Sequence, residues 1–451
     1  MTNDSTNPTV DRRTFLATSA AGVGSLLAAT GVAGGPLNSV WGSARADDRI
    51  KVGLVGCGGR GSGAVRQALD ADKGVVLWAI ADMFQDRVDG CIAGLRSPIE
   101  EGDGSTRPSP YAERVLVDKD RQFVGFDCAE KLIASGVDVV LLCTPPHFRP
   151  MHLAAAVAAG KHVFCEKPMA VDGTGVRSVL ERARLAKETK LSLVSGFCWR
   201  YSSPERAIYG KINGGELGAV RSVHATYHTS PIWTRKRQPE WTDMQFQLRN
   251  WPHFLWLGGD HIVEQACHSV DKLNWAMNNV PPVRVTTLGG RAMRNGEEYG
   301  NSYDHFSVIY EYADGARAFL STRQQHHSSN ENKDWVACEK GICFINGWAP
   351  QETRIEGASR WSYSGPTPDM YQVEHDELFR AIRSGTPLND GDFMAQSTLM
   401  AIAGREACYS GQTLTWDELL QSKQHLVPDS YAMDAPPPPP TIPMPGSYRF
   451  V

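Results

Sequence analysis

The stretch Ile50-Lys51-Val52-Gly53-Leu54-Val55-Gly56-Cys57-Gly58-Gly59-Arg60-Gly61 decides the fold. A short β-branched run ends in closely spaced glycines, and residues 64–69 that follow suit a helix. Strand, tight turn and helix are predicted. Gly56, Gly58 and Gly61 match G-x-G-x-x-G, in which the chain turns sharply and lets a pyrophosphate approach the backbone amides at a helix amino terminus. Alone the motif is weak. Here a second apolar run at 74–81 leads to Asp82, about 20 residues past the last glycine, where an acid accepts hydrogen bonds from ribose hydroxyls. The pattern predicts a dinucleotide site built from Gly56, Gly58, Gly59, Arg60, Gly61 and Asp82. Asp82 repels a 2'-phosphate and so favours NAD over NADP, while Arg60 and Arg87 offer charges that would neutralise one.

Working outward, apolar runs at 137–143 and 162–165 alternate with a helical pattern at 151–159. Strands alternating with helices indicate a doubly wound parallel sheet covered on both faces, here spanning residues 47–196. From residue 197 the texture changes. Alternating runs at 221–229, 283–288, 304–312 and 316–323, with a hairpin signal at Ala313-Asp314-Gly315, predict a large open, mainly antiparallel sheet. Helical stretches at 370–384 and 394–410 close this second domain, set at 197–425 for substrate binding and oligomerisation. Residues 426–451 form a proline-rich tail whose five prolines, Pro436 to Pro440, favour an extended strap or a loose end.

At the amino terminus, Asp11-Arg12-Arg13-Thr14-Phe15-Leu16 precedes an uncharged Ala/Gly-rich stretch and a small-x-small site at Ala44-Arg45-Ala46. Residues 1–46 therefore read as a cleaved twin-arginine signal directing a folded protein to the periplasm, and the stretch is too weakly apolar for a stable membrane span. Ten cysteines without C-x-x-C spacing read as buried thiols, which suits folding before export. With 46 Lys+Arg against 50 Asp+Glu and a formal charge of -4, no basic surplus exists for nucleic acid.

Glu166-Lys167-Pro168 follows the run at 162–165, at the strand edge where open α/β sheets bind ligands. Together with Thr144-Pro145-Pro146-His147, residues 158–163, Gly215-Glu216-Leu217-Gly218 and residues 258–271, these motifs make the chain resemble the glucose-fructose oxidoreductase, inositol dehydrogenase and rhizopine-catabolism (Gfo/Idh/MocA) family over residues 51 to about 420. The resemblance implies that Lys167 lies between nicotinamide and substrate, and that Thr144, Pro145, His147 and Glu166 line the cofactor cleft. It implies a sugar, glycoside or cyclitol substrate, a tightly held dinucleotide and a homodimer or homotetramer. Relatives often carry a second histidine where this chain has Arg149, which suggests an anionic or very polar substrate.

A cationic Lys167 beside a hydroxyl stabilises developing alkoxide, and His268 has the ordinary pKa of a base working near neutrality. If residues 263–275 form one helix, Glu264 and His268 share a face, so Glu264 would orient His268; His261 joins them as a candidate metal face, although no metal is assigned. Trp233, Trp241, Trp251 and Trp256, with His253, offer rings for sugar stacking, and Asp304-His305 and His326-His327 lie at strand edges within reach. Three functions fit: a dehydrogenase of a secondary hydroxyl, a redox-neutral NAD-dependent glycosidase passing through a keto sugar, and a non-catalytic sugar-binding protein on the same fold.

Overall fold

The computed structural model describes residues 48–102, 105–358 and 360–451. The twin-arginine pattern and its cleavage site lie outside the described residues. Six strands, β1 (Ile50–Val55), β2 (Val75–Asp82), β3 (Gln122–Val124), β4 (Val139–Leu142), β5 (His162–Cys165) and β6 (Leu193–Ser195), form one sheet in the order β3-β2-β1-β4-β5-β6. Every pairing is parallel. The strand order reverses between β1 and β4, which opens a crevice at the carboxyl ends of these two strands. Helix α1 (Gly59–Ala71) follows β1 directly, with α2 (Gln85–Arg96), α3 (Cys128–Ile133), α4 (Arg149–Ala158) and α5 (Gly173–Glu188) along the same half of the chain. All four residues of β4 are buried, as expected of a strand covered on both faces.

The second sheet has nine strands. From edge to edge it contains Trp361–Ser362, Arg354–Gly357, Gly341–Asn346, Lys333–Cys338, Val220–Thr229, Arg317–Gln324, His305–Glu311, Arg284–Gly290 and Leu414–Thr415. Its pairings are antiparallel except one: Val220–Thr229 runs parallel to Arg317–Gln324. Along Arg317–Gln324 alternate residues are buried, so one face of the sheet is packed and the other is open. The expected hairpin turn is present, with Gly315 at φ +88 and its N–H donating to Tyr312 O at 3.1 Å.

Two long helices lie outside both sheets, α6 (Met370–Ser384), which packs on α1, and α7 (Gly391–Ser410), which is buried almost throughout its length. The tail is a strap. Thr242 Oγ1 donates to Met433 O at 2.5 Å, Gln247 Nε2 to Pro438 O at 3.2 Å and Tyr303 Oη to Pro443 O at 2.6 Å, so it runs along the second domain. Leu426 N–H also donates to Asp172 Oδ2 at 2.8 Å, tying the strap to the first domain. All ten cysteines are free and eight are buried. Among the described residues no helix is long and apolar enough to cross a membrane.

Candidate active site

The crevice at the β1/β4 switch point holds a cavity of about 400 Å³, lined by Gly56, Gly58, Gly59, Arg60, Gly61, Asp82, Thr144, Pro145 and, at its inner end, Glu264 and Gln265. Gly56 has φ +99, and a Cβ on Gly61 would lie 1.9 Å from Gly56 O, so the turn closes only with glycines. By contrast, Cβ atoms on Gly58 and Gly59 would meet nothing within 4 Å. Those two residues present bare backbone to open space. Helix α1 begins there with no side-chain cap and no acidic residue in its first turn, so its leading N–H groups and dipole are available to an anion. Asp82 Oδ2 accepts from Cys57 N–H at 2.6 Å and Oδ1 from Phe84 N–H at 3.0 Å, which holds the carboxylate in the cavity wall. These features fit the pyrophosphate and ribose of a dinucleotide.

The side-chain chemistry departs from the expected arrangement. The helix expected over residues 263–275 is broken: His261–Glu264 makes one turn, and α8 (Cys267–Ala276) begins only after a turn at Gln265 and Ala266. The N–H groups of Gln265 and Ala266 both donate to His261 O at 2.9 Å. Lys167 Nζ donates to Glu264 O at 2.5 Å and to Glu264 Oε1 at 3.3 Å. Glu264 therefore holds Lys167 and does not orient His268. Its other oxygen accepts from Gln265 Nε2 at 2.5 Å, and Gln265 Oε1 accepts from Tyr227 Oη at 3.0 Å. Burial alone pulls the Lys167 pKa down, but Glu264, Cys267 and Glu166 outweigh it and keep the ammonium charged.

His268 is buried, with its ring edge-on to Phe197 and its Nδ1 without a hydrogen-bond partner among the described residues. Burial, then the charges of Lys167, Lys272 and Arg60, push its pKa well below the ordinary histidine value, so the imidazole is neutral. The candidate metal face does not assemble. His261 Nδ1 lies 3.0 Å from Tyr303 O and its Nε2 3.3 Å from Thr322 Oγ1, so both ring nitrogens are committed elsewhere.

Other expected site residues also move. His147 Nε2 lies 2.8 Å from Tyr431 Oη of the strap, and His147 is not in the wall of the cavity. Glu166 is buried against Arg60, and the Arg60 guanidinium is engaged by Glu166, Gln67 and Glu374, which ties it to the fold. Arg149 donates to Pro168 O, so it braces the backbone beside Lys167 and is not offered to an anionic substrate. The tryptophans divide: Trp233, 47% exposed, and Trp251 line the cavity, Trp256 is buried with Nε1 on Gln247 Oε1, and Trp241 lies against Arg249. His253 is buried with Nε2 3.0 Å from Trp233 O, and Asp304 accepts from the N–H groups of Ala292 and Met293.

Sequence reading missed Tyr227, Gln265 and Glu374. Only Glu374 left a trace, as an acidic residue four positions before Leu378 on the buried stripe of α6.

A parallel sheet with a phosphate-ready glycine turn, joined to a second domain whose helical segment His261–Glu264 supplies the lysine's anchor, defines a two-domain dinucleotide oxidoreductase. Residues 50–197 match the profile of the oxidoreductase family with an NAD-binding Rossmann fold, and residues 206–343 match the GFO/IDH/MocA C-terminal domain. The chain belongs to the Gfo/Idh/MocA oxidoreductase family and uses NAD. It is 29% identical to the inositol 2-dehydrogenase of Cereibacter sphaeroides over 349 residues, 75% of this chain and 87% of that protein. It is likewise 29% identical to the inositol 2-dehydrogenase of Streptomyces avermitilis over 381 residues, 81% of this chain and 94% of that one. The structure of levoglucosan dehydrogenase in complex with NADH and levoglucosan superposes with a TM-score of 0.63 at 17% identity, covering 82% of this chain and 99% of that one, a likeness of fold.

Proposed function

We propose that this enzyme oxidises a secondary hydroxyl of a sugar, glycoside or cyclitol with NAD. The observation that carries the reading is the charged Lys167, held by the carbonyl and carboxylate of Glu264, together with a buried, neutral His268 whose Nδ1 has no partner among the described residues. Glu264 is a residue of the cavity wall, although Lys167 and His268 are not. Gly56, Gly58, Gly59, Gly61 and Asp82 would hold the dinucleotide, with Thr144 and Pro145 along its nicotinamide half. Bound there, NAD supplies the acceptor for the hydride leaving the carbinol carbon. Lys167 would donate to the hydroxyl oxygen and stabilise its alkoxide character, while His268 would take the hydroxyl proton. Neutral imidazole is the form that task requires. Trp233 and Trp251 give the cavity aromatic faces suited to a polyhydroxylated ring. The substrates named for the inositol dehydrogenases and for levoglucosan dehydrogenase are of that class.

The Arg12-Arg13 pattern supports export to the periplasm with NAD already loaded and tightly held, which cell fractionation and the absorbance of the purified protein would check. The open face of the second sheet, with Leu288 78% and Ile342 50% exposed, supports a homodimer or homotetramer, to be read by sedimentation.

Incubating the full-length protein and NAD with myo-inositol, levoglucosan and aryl glycosides, and following absorbance at the NADH maximum, tests the function. Stoichiometric NADH is expected. Glycoside cleavage without net NADH would replace this reading with the redox-neutral one, and equal turnover by Lys167→Ala and His268→Ala variants would sink both.

A further inference from the structure

Arg60 sits inside the glycine turn, yet its neighbours are those of a structural bolt. Its Nε donates to Glu166 Oε1, its Nη2 to Glu374 Oε1 at 2.9 Å and its Nη1 to Gln67 Oε1 at 2.7 Å, so every guanidinium nitrogen is engaged. The rings of Tyr371 and Phe164 lie 5.0 and 5.7 Å from the guanidinium carbon. Three of the five guanidinium N–H groups are thus committed to side chains of the fold, and Glu374 is fully buried.

The chain of contacts continues toward Lys167. Glu166 Oε2 accepts the Lys167 backbone N–H at 3.1 Å. Its carboxylate also packs on Gly196, where a Cβ would lie 2.7 Å from Oε2, so a side chain at position 196 would push Glu166 off this position. Helix α6, more than 300 residues along the chain from the turn, is thus linked through Glu374, Arg60 and Glu166 to the backbone that carries Lys167.

We propose that the side chains of Arg60 and Glu374 are positioning groups that fix the backbone of Lys167, and that the Arg60 guanidinium is not a ligand of the dinucleotide. The proposal rests on the role assigned to Lys167 above. Burial pushes the Glu374 carboxyl well above the ordinary range, whereas Arg60, then Lys167 and Arg149, overcome burial and hold Glu166 below it. Glu166 is thus the anion that partners Arg60, and Glu374 accepts from Nη2 through one oxygen, a contact that a glutamine can imitate.

The test compares Arg60→Ala, Arg60→Lys, Glu374→Leu and Glu374→Gln with Lys167→Met, using full-length protein. NADH affinity is read by quenching of tryptophan fluorescence, and kcat with whichever polyol of the panel turns over. Misplacing a reacting group by about 1 Å costs on the order of a hundredfold. Arg60→Ala and Glu374→Leu are therefore expected to lower kcat about tenfold to a hundredfold while NADH affinity stays within about threefold. Arg60→Lys, which keeps the charge, guards against a folding defect, and Glu374→Gln recovers most of the loss. A tenfold or greater drop in NADH affinity with kcat intact would make Arg60 a cofactor ligand and overturn the proposal. Unchanged kcat and affinity in the Arg60 and Glu374 variants beside an inactive Lys167→Met would overturn it while leaving the role of Lys167 standing. An active Lys167→Met would remove that role and the proposal with it.

Discussion

Two glycine-containing segments reach the same cavity, residues 56–61 beside the parallel sheet and residues 258–271 of the second domain through Glu264 and Gln265, and different forces hold them in shape. The first is shaped by contacts within itself and with the adjoining strand: Gly61 against Gly56 O, and Gly56 against the backbone of Cys143 and Thr144. The second is shaped by remote partners. Asp260 has φ +76, a region a non-glycine residue enters at a cost of roughly 1–3 kcal/mol. Its carboxylate offsets that cost by accepting from the N–H groups of His261 at 2.5 Å and Tyr303 at 2.7 Å and from Tyr409 Oη. Four residues further on, the carbonyl at the helix break goes to Lys167, 97 positions earlier in the chain. A turn that works through backbone amides needs only local sterics, whereas a site that works through side chains needs the rest of the fold.

The contrast can be broken at either segment. Lys167→Met removes the one cation anchored across the two, and kcat should fall about a thousandfold with NADH affinity little changed. A loss of affinity in place of rate would make Lys167 a cofactor ligand. Asp260→Ala should destabilise by roughly 3 kcal/mol, because three donors lose a charged acceptor while the backbone strain remains. Asp260→Gly relieves that strain and should recover about 1 kcal/mol in a urea melt; equal losses would show the strain to be negligible. Gly61→Ala should cost roughly 2 kcal/mol through overpacking against Gly56 O and should weaken NADH binding by tenfold or more. Normal affinity in a folded Gly61→Ala protein would mean the turn tolerates a side chain.

Acid should act on the surroundings of the two segments through buried neutral histidines. Burial, helped by His425 and His152, holds His147 down to about 3; burial with Arg149 holds His152 to about 4, and burial with Arg294 holds His253 to about 4. Their pKa values are lower in the folded chain, so the unfolded chain binds more protons below about 6.5. Stability is full above that pH and declines as pH falls from about 6.5 toward 4, by on the order of 1 kcal/mol per histidine per pH unit. Thermal melts between pH 7 and 4 check this, and a flat Tm would contradict the buried neutral state. The smallest effect is expected from Arg249→Gln. Arg249 pairs with Asp86, 57% exposed, across the two domains, and such a pair contributes under about 1 kcal/mol.

Much of the architecture was legible because short-range rules govern it. The run at 162–165 is the strand His162–Cys165, and the pattern at 370–384 is the helix Met370–Ser384, since apolar periodicity and chain breakers act over a few residues. The parallel pairing of Val220–Thr229 with Arg317–Gln324 was not legible, because no local signal states which of several alternating strands are neighbours. Nor was the break after Glu264. Residues 263–275 are compatible with one helix, and the carbonyl exposed at the interruption is satisfied by Lys167 Nζ, a donor from far along the chain.

By itself the sequence determined the glycine turn, the acid after the second strand, the alternation that makes one sheet parallel, and the family. The first three depend on sterics or periodicity within a short window of chain, and the family showed as a resemblance carried by motifs spread along it. Only the tertiary structure decided which charges meet. Glu264 turned to Lys167 and left His268 Nδ1 without a partner among the described residues, and Arg60 turned to Glu166 and to Glu374, 314 positions away. Long side chains buried at low dielectric pair with whatever opposite charge the packed fold brings within reach, and that neighbour is fixed by the whole chain.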